Sequence, residues 1–528
     1  MLGEALRVAV PIGLVTSQMR WFRNVQELVP QPYLDEVFHV PQAQAFWKGN
    51  WTHWDDKITT PPGLYLYSIL VNKIYKFDSD SSDLTAYDLR WTNVLLLYLM
   101  LLALTVLSLL TSKDAPRERF LQREYCLVAF PLFFFFSGLY YTDLFSAFTV
   151  ICAYIFWQAA NQAEGFPKIM FQLLHLLSGL LSLASRQTNI FWVAVYLGGL
   201  QAVAAIKKDT RIHDPAIADA YFEDLPITII SLVTSALNTI PKLLLDLWPH
   251  LCLLGSFGAF VFWNGGVVLG DKTNHVATIH LTQMLYIWPF IVFFSWPAML
   301  PQFANLRSLM HRRPRLWVVV ATILPMTAIV HYNTIIHQFL LADNRHYAFY
   351  AFKILRSASW TWYALTPVYA VCAWLSIQAL GSRPSFTGAP QTASSQGRRL
   401  STSSGGRDST ASESDVNRMS FLIIWLVSTA LSLVTAPLVE PRYFIVPWLM
   451  WRLHVPDIAE VIDEHQEAGL KDKSGMAQVE KVLTTLVKGS LYIEFAWCML
   501  INFVTCRLFL FNGFAWPQEP GLVQRFMW

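Results

Sequence analysis

Two adjacent carboxylates, Asp35 and Glu36, follow the first weakly apolar stretch of a strongly apolar chain. Acidic side chains beside a bilayer are costly to place unless they face water, a cation or a substrate. If the segment that begins at Tyr33 is helical, Asp35 shares a face with His39, whereas Glu36 points roughly 100° away. The sequence therefore predicts that one carboxylate faces a substrate while the other braces the loop. The alternative is that both carboxylates only cap a helix beside the membrane.

Arginines in three other short polar segments are the natural partners of such a site. The guanidinium group of arginine is planar and can hold a phosphate through two parallel hydrogen bonds. The alternative for Arg345 and Arg442 is an ion pair with a carboxylate close to each in sequence, Asp343 and Glu440. The candidates for binding a donor phosphate are Arg345, Arg442, Lys353 and His346, and the candidates for binding the rest of the substrates are Tyr33, His39, Trp54, Arg186, Asn189, Asp343 and Asn344.

One carboxylate, several cations and many aromatic residues fit glycosyl transfer from a lipid-phosphate sugar. A lipid phosphate leaves without a general acid, because cations stabilise the charge that develops on it. The acceptor hydroxyl needs one base, which a carboxylate can supply. We assign this role to Asp35 in preference to Glu36. Trp54 offers a flat apolar face to a sugar ring, although anchoring at the membrane interface explains it equally well.

Composition indicates the elements that must position these residues. Of the 528 residues, 54% are hydrophobic and 14% are charged, and the mean hydropathy is +0.38. Soluble domains carry about 25% charged residues, so the chain is predicted to be an all-α, polytopic membrane protein. The net charge of +3 is too small to indicate nucleic-acid binding. The six cysteines lie in apolar stretches, without metal-binding or disulfide spacing.

Apolar stretches long enough to span a bilayer predict roughly ten to fourteen passes. Residues 1–16 make a poor spanning segment, and residues 64–75 and 227–245 are ambiguous. The predicted passes are 91–111, 125–160 and 169–206 (two passes each), 247–270, 281–300, 316–340, 360–380, 419–437 and 488–511.

Charge sorts the connecting loops into two alternating sets. Basic or low-complexity loops are predicted to be cytosolic by the positive-inside rule. They include the Ser/Gly/Arg-rich stretch 384–415, predicted to be disordered, and the charged stretch 454–488. The candidate site residues fall in the other set, led by the loop 31–62, which also carries the sequon at Asn50. A full crossing by both 64–75 and 91–111 would break the alternation.

Ordered blocks from residue 31 to residue 528 resemble one known family, that of the dolichyl-phosphate-glucose-dependent α-1,2-glucosyltransferases. Each block alone is weak, and together they are specific. The blocks are Pro32–Gln44, Trp54-Asp55, Ile58-Thr59-Thr60, Arg186–Asn189, Asn264-Gly265-Gly266 with Gly270-Asp271, Leu341–Tyr347, Arg442-Tyr443-Phe444 and Gln524–Trp528.

The resemblance implies a single transmembrane domain, residues 1–528, of the glycosyltransferase C type, with its catalytic loop, residues 31–62, in the lumen of the endoplasmic reticulum. It implies dolichyl phosphate glucose as the donor and a diglucosylated, dolichyl-diphosphate-linked oligosaccharide as the acceptor. The product is the terminal α-1,2-linked glucose of the N-glycan precursor, formed with inversion. The family's acidic catalytic role falls on Asp35 and Glu36. No cofactor is implied, and the sequence leaves open a divalent metal at this pair and nearby histidines.

Two other functions fit the same residues. A related transferase, such as a mannosyltransferase, would use the same carboxylates and arginines on another acceptor. A transporter or channel-associated subunit would instead place its polar residues near the middle of the membrane and often shows internal repeats. The polar residues of this chain collect on one side, and no repeat is evident.

Overall fold

The computed structural model describes residues 2–76, 83–111, 117–272, 278–304, 309–310, 312–381, 416–436, 438–456, 485–517 and 519–528. The predicted loop 384–415 and most of the stretch 454–488 lie outside these residues. Over the described ranges the regular structure is almost all helical, which confirms the predicted all-α class. The strands there are two residues each, β1 (Phe514–Ala515) and β2 (Val523–Gln524), paired antiparallel.

Residues 2–28 are not among the segments that are long and apolar enough to cross a membrane, which agrees with the prediction for residues 1–16. They form one helix, α1 (Leu2–Leu28), that continues through Pro11. Leu14 and Val25 of this helix are fully buried in the main core. The indole of Trp21 donates a hydrogen bond to the carbonyl oxygen of Phe135 at 3.0 Å. Tertiary packing therefore holds as a helix a segment whose charges and proline make it a poor candidate in isolation.

Two short helices follow: α2 (Glu36–Trp47), inside the predicted catalytic loop 31–62, and α3 (Gly63–Tyr75), directly after it. With 13 residues, α3 is about 20 Å long, whereas the hydrocarbon core of a bilayer is about 30 Å thick. Leu64 and Tyr65 face the core, whereas Leu70 and Ile74 are exposed. At this length α3 is too short to cross the hydrocarbon core, so it does not break the predicted loop alternation.

Eight helical segments among the described residues are long and apolar enough to cross a membrane. They confirm a multi-pass protein, although fewer than ten segments qualify on length and composition. The segments are Ala86–Thr111 (α4), Thr142–Gln162 (α7), Gly165–Leu183 (α8), Gln187–Asp209, Gln283–Phe303, Leu316–Asn333 (α15), Thr361–Leu380 and Ser490–Phe511 (α22).

Breaks, bends and short helices account for the difference from the predicted passes, since the helices within 247–270 and 419–437 have only 17 and 15 residues. Residues 125–160 contain one long helix, because a break before Pro131 divides the first half into α5 (Arg117–Val128) and α6 (Pro131–Phe136). The ambiguous stretch 227–245 forms α10 (Asp224–Asn238) and α11 (Ile240–Asp246), with a bend of 90° between them.

The remaining helices are short or are parts of the segments above. Gln187–Asp209 is a 3₁₀ turn, Gln187–Asn189, then a π-helix, Phe191–Tyr196, then α9 (Leu197–Asp209). The others are α12 (Trp248–Asn264), α13 (Gln283–Ser295), 3₁₀ Trp296–Met299, α14 (Leu300–Ala304), α16 (Gln338–Ala342), α17 (Tyr347–Leu355), α18 (Thr361–Ala364), α19 (Thr366–Leu380), α20 (Met419–Leu433), 3₁₀ Pro441–Phe444 and α21 (Ile445–Leu453).

Contacts form between loops of the same predicted set, at two ends of the helices. At one end, the backbone of Asp271 bonds to that of Asp56, and His280 bonds to Val434. At the other end, Lys207 and Ser420 both contact the carboxylate of Asp214. Between the two ends lies an aromatic core, in which the rings of Phe130 and Trp448 stack with centroids 3.7 Å apart.

Candidate active site

Asp35 stands at the start of α2, where the chain enters the helix in an unusual conformation. The preceding residue, Leu34, has a φ of 50°, a left-handed value that non-glycine residues rarely adopt. The backbone N–H of Asp35 donates to the hydroxyl of Tyr141 at 3.2 Å, and its carbonyl accepts the N–H of His39 at 3.0 Å. The side chain of Asp35 is 41% exposed. A strained entry thus fixes the backbone while the carboxylate stays accessible.

Glu36, the neighbouring carboxylate, is fully buried and saturated with hydrogen bonds. Arg90 donates to it through Nε at 2.8 Å and through Nη2 at 2.6 Å. The backbone N–H groups of Tyr33 and Tyr140 donate at 3.0 and 2.6 Å. Glu36 therefore ties the predicted catalytic loop to α4 and to the segment before α7. The geometry favours a bracing role for Glu36 over that of a base.

Arg442 joins Asp35 to two more carboxylates. Its Nη1 donates to Oδ2 of Asp35 at 2.8 Å, and its Nε and Nη2 donate to Glu440 at 3.0 and 2.8 Å. Nη1 of Arg442 also lies 3.7 Å from Oδ2 of Asp143. The other oxygen of Asp143 accepts a hydrogen bond from Arg186 at 2.9 Å. Two arginines and three carboxylates from four distant segments thus form one charge network.

The charges around Asp35 keep its carboxyl group ionised. Partial burial acts to raise the pKa of Asp35, but the charge of Arg442, with smaller contributions from His39 and His346, outweighs it and lowers the pKa below its ordinary value. For His39, burial is the largest effect and lowers the pKa, so its imidazole is neutral near pH 7. The site therefore offers a carboxylate, not a carboxylic acid, at neutral pH.

His39 lies one helical turn beyond Asp35 and connects it to an aromatic wall. Its Nδ1 is 2.6 Å from the hydroxyl oxygen of Tyr65 on α3. The ring of Tyr65 in turn packs against Trp54, with centroids 6.3 Å apart, and against Phe46. Trp54 itself donates to the carbonyl of Ile58 at 3.2 Å. Of the two predicted residues, His39 thus contacts Tyr65 directly, and Trp54 packs against the same ring.

Arg345 is occupied by partners near it. It donates to Asp343 from Nε at 2.8 Å and from Nη2 at 2.7 Å, and to Gln524 from Nη1 at 3.0 Å. Its guanidinium lies 4.6 Å from the ring centroid of Trp516. Asp343 therefore orients Arg345 towards the last residues of the chain. A phosphate would have to displace one of these partners.

The segment Gln524–Trp528 contacts both the Arg345 loop and Tyr33. The N–H of Met527 donates to the carbonyl of Arg345 at 2.9 Å, and the hydroxyl of Tyr33 exchanges hydrogen bonds with the backbone of Arg525 at 2.7 and 2.8 Å. His346 contacts the carbonyl of Trp528 at 3.1 Å. Burial raises the pKa of Tyr33 to about 12, so Tyr33 is a neutral phenol. This segment holds the Asp35 loop beside the Arg345 loop.

The remaining predicted residues are placed in three different ways. Asn189 is buried and bonds to Ser146 and Ser185, so it supports the turn after α8. Lys353 is exposed on α17. The amide oxygen of Asn344 is buried and, within the described ranges, has no hydrogen-bond partner. An acceptor oxygen of this kind is suited to a substrate hydroxyl.

The sequence did not single out Arg90, Asp143 and Glu440 as parts of the site. Arg90 had a usable signal, because a charge at the start of a strongly apolar helix needs a buried partner. Asp143 follows two tyrosines at a predicted loop on the same face as Asp35.

No group of three or more His, Cys, Asp or Glu residues in the described part of the chain is arranged to hold a metal.

Comparison with known proteins places the chain in a family. The model of the DIE2/ALG10 family matches residues 29–453. A relative from Emericella nidulans is 39% identical, with 100% of this chain and 99% of the relative covered. A relative from Aspergillus fumigatus is 40% identical over 99% and 98%, and one from Homo sapiens is 30% identical over 96% and 95%.

All three relatives are named Dol-P-Glc:Glc(2)Man(9)GlcNAc(2)-PP-Dol alpha-1,2-glucosyltransferase. No solved structure was found to match the chain. The family match covers more than half of the chain, and the relatives are aligned over nearly their full lengths. The chain therefore belongs to the DIE2/ALG10 family.

Proposed function

We propose that this member of the DIE2/ALG10 family transfers glucose from dolichyl phosphate glucose to a diglucosylated, dolichyl-diphosphate-linked oligosaccharide. The names of the relatives give the two substrates and the α-1,2 linkage. The structural observation that carries the proposal is the accessible carboxylate of Asp35 beside the guanidinium of Arg442. These groups supply a base and a phosphate-binding cation at one point.

In the reaction we propose, Asp35 takes the proton of the 2-hydroxyl group on the terminal glucose of the acceptor. The oxygen of that hydroxyl forms a bond to C1 of the donor glucose as the bond from C1 to the phosphate oxygen breaks. Dolichyl phosphate leaves with the bonding pair, and the configuration at C1 inverts. Arg442, with Arg186 behind it, stabilises the negative charge on the leaving phosphate. Glu36 holds the loop in place and takes no part in proton transfer.

Arg442 has a second effect in this mechanism. While it bonds to Asp35, it keeps the pKa of that carboxyl group low and makes it a weak base. A bound phosphate competes for the same guanidinium, so the attraction between Arg442 and Asp35 weakens. The pKa of Asp35 then rises, and the base strengthens when the donor is in place.

We further propose that the site faces the lumen of the endoplasmic reticulum. The basic residues Lys207 and Arg418 lie at the opposite end of the helices, which supports a cytosolic location for that end. The sequon residue Asn50 is exposed and lies on the catalytic loop. If the site is lumenal, treatment with an endoglycosidase should shift the mobility of a tagged protein that carries a sequon in this loop. A sequon placed near Lys208 should stay unmodified, and the opposite pattern would overturn the orientation.

The catalytic proposal is tested with purified protein and defined lipids. We expect transfer from dolichyl phosphate glucose to the diglucosylated acceptor, and none from dolichyl phosphate mannose. Transfer of mannose at a comparable rate would favour the mannosyltransferase alternative. The absence of transfer from either donor by a folded protein would contradict the proposal. The transporter alternative gains no support, because Asp35 lies in a polar cluster at the helix ends.

A further inference from the structure

A cavity of about 520 Å³ lies behind the catalytic loop, between α8 and α12. Its walls are almost entirely apolar and include Phe46 and Trp54 of the loop, Leu183 of α8, and Phe257 and Phe260 of α12. Pockets of this size usually hold one ligand or a large part of one. The few polar side chains in the lining are too sparse to bind an oligosaccharide through its hydroxyl groups.

The cavity forms because α8 and α12 are in contact at one point and diverge beyond it. Gly179 of α8 lies against Leu253 of α12, and a side-chain carbon on Gly179 would come within 2.7 Å of Leu253. Beyond this contact towards Asp35, Leu183 and Phe257 stand apart and line the space. The cavity therefore continues the gap between two apolar helices.

Two hydrogen bonds fix the loop segment beside the cavity to the C-terminal end of α8. The N–H of Gly63 donates to the carbonyl of Ala184 at 2.7 Å, and the amide of Gln187 donates to the carbonyl of Thr59 at 2.8 Å. A side chain at Gly63 would push this carbonyl away, since its first carbon would lie 2.5 Å from the oxygen. The catalytic loop and the cavity are thus parts of one rigid arrangement.

A line of charged groups leads from the cavity to Asp35. Gln187 lines the cavity, and its neighbour Arg186 bonds to Asp143 at 2.9 Å. Asp143 lies 3.7 Å from Arg442, which holds Asp35 at 2.8 Å. An apolar chain in the cavity would therefore end beside two arginines, and the group beyond them would meet the base.

We propose that this cavity binds the isoprenoid chain of the donor, with the donor phosphate at Arg186 and Arg442 and the glucose at Asp35. This inference rests on the proposed function. The donor is favoured over the acceptor because its phosphate is bonded directly to the reacting sugar carbon. In the acceptor that the relatives' names describe, mannose and N-acetylglucosamine residues separate the diphosphate from the reacting glucose.

The test fills the cavity without touching the charged groups. Ser256→Trp places an indole in the cavity from α12, and Leu183→Trp does the same from α8. Leu254→Trp and Leu181→Trp are matched controls, because they lie on the same helices at exposed positions outside the cavity lining. Each protein is assayed with dolichyl phosphate glucose and with a glucosyl phosphate that carries two isoprene units.

For the wild type, we expect the KM of the long-chain donor to be lower than that of the short-chain donor. The cavity variants should reduce this advantage by about tenfold or more, with kcat and the KM of the acceptor little changed. The controls, Leu254→Trp and Leu181→Trp, should keep the full advantage of the long-chain donor. An unchanged advantage in both cavity variants, or a rise in the KM of the acceptor instead, would overturn the proposal.

A second measurement does not depend on mutant folding or on catalysis. Wild-type protein is irradiated with a dolichyl phosphate that carries a diazirine on its isoprene units, and the labelled peptides are identified by mass spectrometry. Labels on the peptides of Phe46–Trp54, Leu183 and Phe257–Phe260 support the proposal, and labels confined to other helices contradict it. Failure of glucose transfer with labels in the cavity would refute the proposed function and leave the lipid site standing.

Discussion

Nη1 of Arg442 lies 2.8 Å from Oδ2 of Asp35, although 407 positions separate the two residues in the chain. This pair brings the first predicted catalytic residue together with one of the predicted phosphate ligands. It also sets the charge state of the carboxylate, because Arg442 is the largest influence that lowers the pKa of Asp35. A base and a leaving-group cation that share one hydrogen bond are the centre of the proposed mechanism.

The replacement Asp35→Asn should remove catalysis and keep the fold. Asparagine has the same shape and can still contact Arg442, but it cannot accept the proton of a hydroxyl group. We expect kcat to fall by about 10²–10⁴-fold, the contribution typical of a general base, with a small change in the KM of the donor. The measurement is steady-state transfer of radiolabelled glucose. Normal extension of the glycan by this variant in cells that lack the native enzyme would contradict the assignment.

The replacement Arg442→Gln should change the pH dependence of the reaction. In the wild type the pKa of Asp35 is below its ordinary value, so the free base is present through neutral and mildly acidic pH and is lost only below the usual carboxyl range. Without Arg442, burial acts with less opposition and the pKa rises. The acidic limb of the profile of kcat/KM should therefore move to higher pH. A limb that stays in place would show that Arg442 does not control the base.

The buried pair of Glu36 and Arg90 should contribute to stability. Both side chains are fully buried, and loss of one partner leaves the other charge unpaired. We expect Glu36→Gln and Arg90→Met to lower the free energy of unfolding by about 3–5 kcal/mol each. Thermal unfolding of the detergent-solubilised protein measures this loss. In the double variant the losses should not add, and simple additivity would show that the two groups do not interact.

Gly270 is a position where glycine is required. Its φ is 64°, and a side-chain carbon there would collide with the carbonyl oxygens of Asp56 and Ile58 in the predicted catalytic loop. Gly270→Ala should therefore displace that loop and reduce kcat without abolishing membrane insertion. Gly255→Ala on α12 is the control, because the space around Gly255 is open and alanine favours a helix. Equal activity in the two variants would contradict this account.

The sequence determined the class of the protein and the types of residue that its chemistry needs. Hydrophobicity and the scarcity of charge are local properties, and they fix a helical membrane protein wherever the helices finally pack. Loop charge sorted the polar residues into two predicted sets, and members of the set that holds Asp35 are in contact in the structure. The family resemblance, carried by blocks such as Arg442-Tyr443-Phe444, gave the function that the relatives support.

Tertiary structure decided how the site residues divide their roles. Asp35 and Glu36 are adjacent and chemically alike, and only Arg90, from α4, and the N–H groups of Tyr33 and Tyr140 make one of them a brace. Packing also holds residues 2–28 as one helix, and α3 ends after 13 residues, too short to cross a membrane. These outcomes depend on partners far away in the chain, because burial and ion pairing are set by neighbours in space. The spacing of residues along the sequence does not show how deeply a residue is buried or which charge it pairs with.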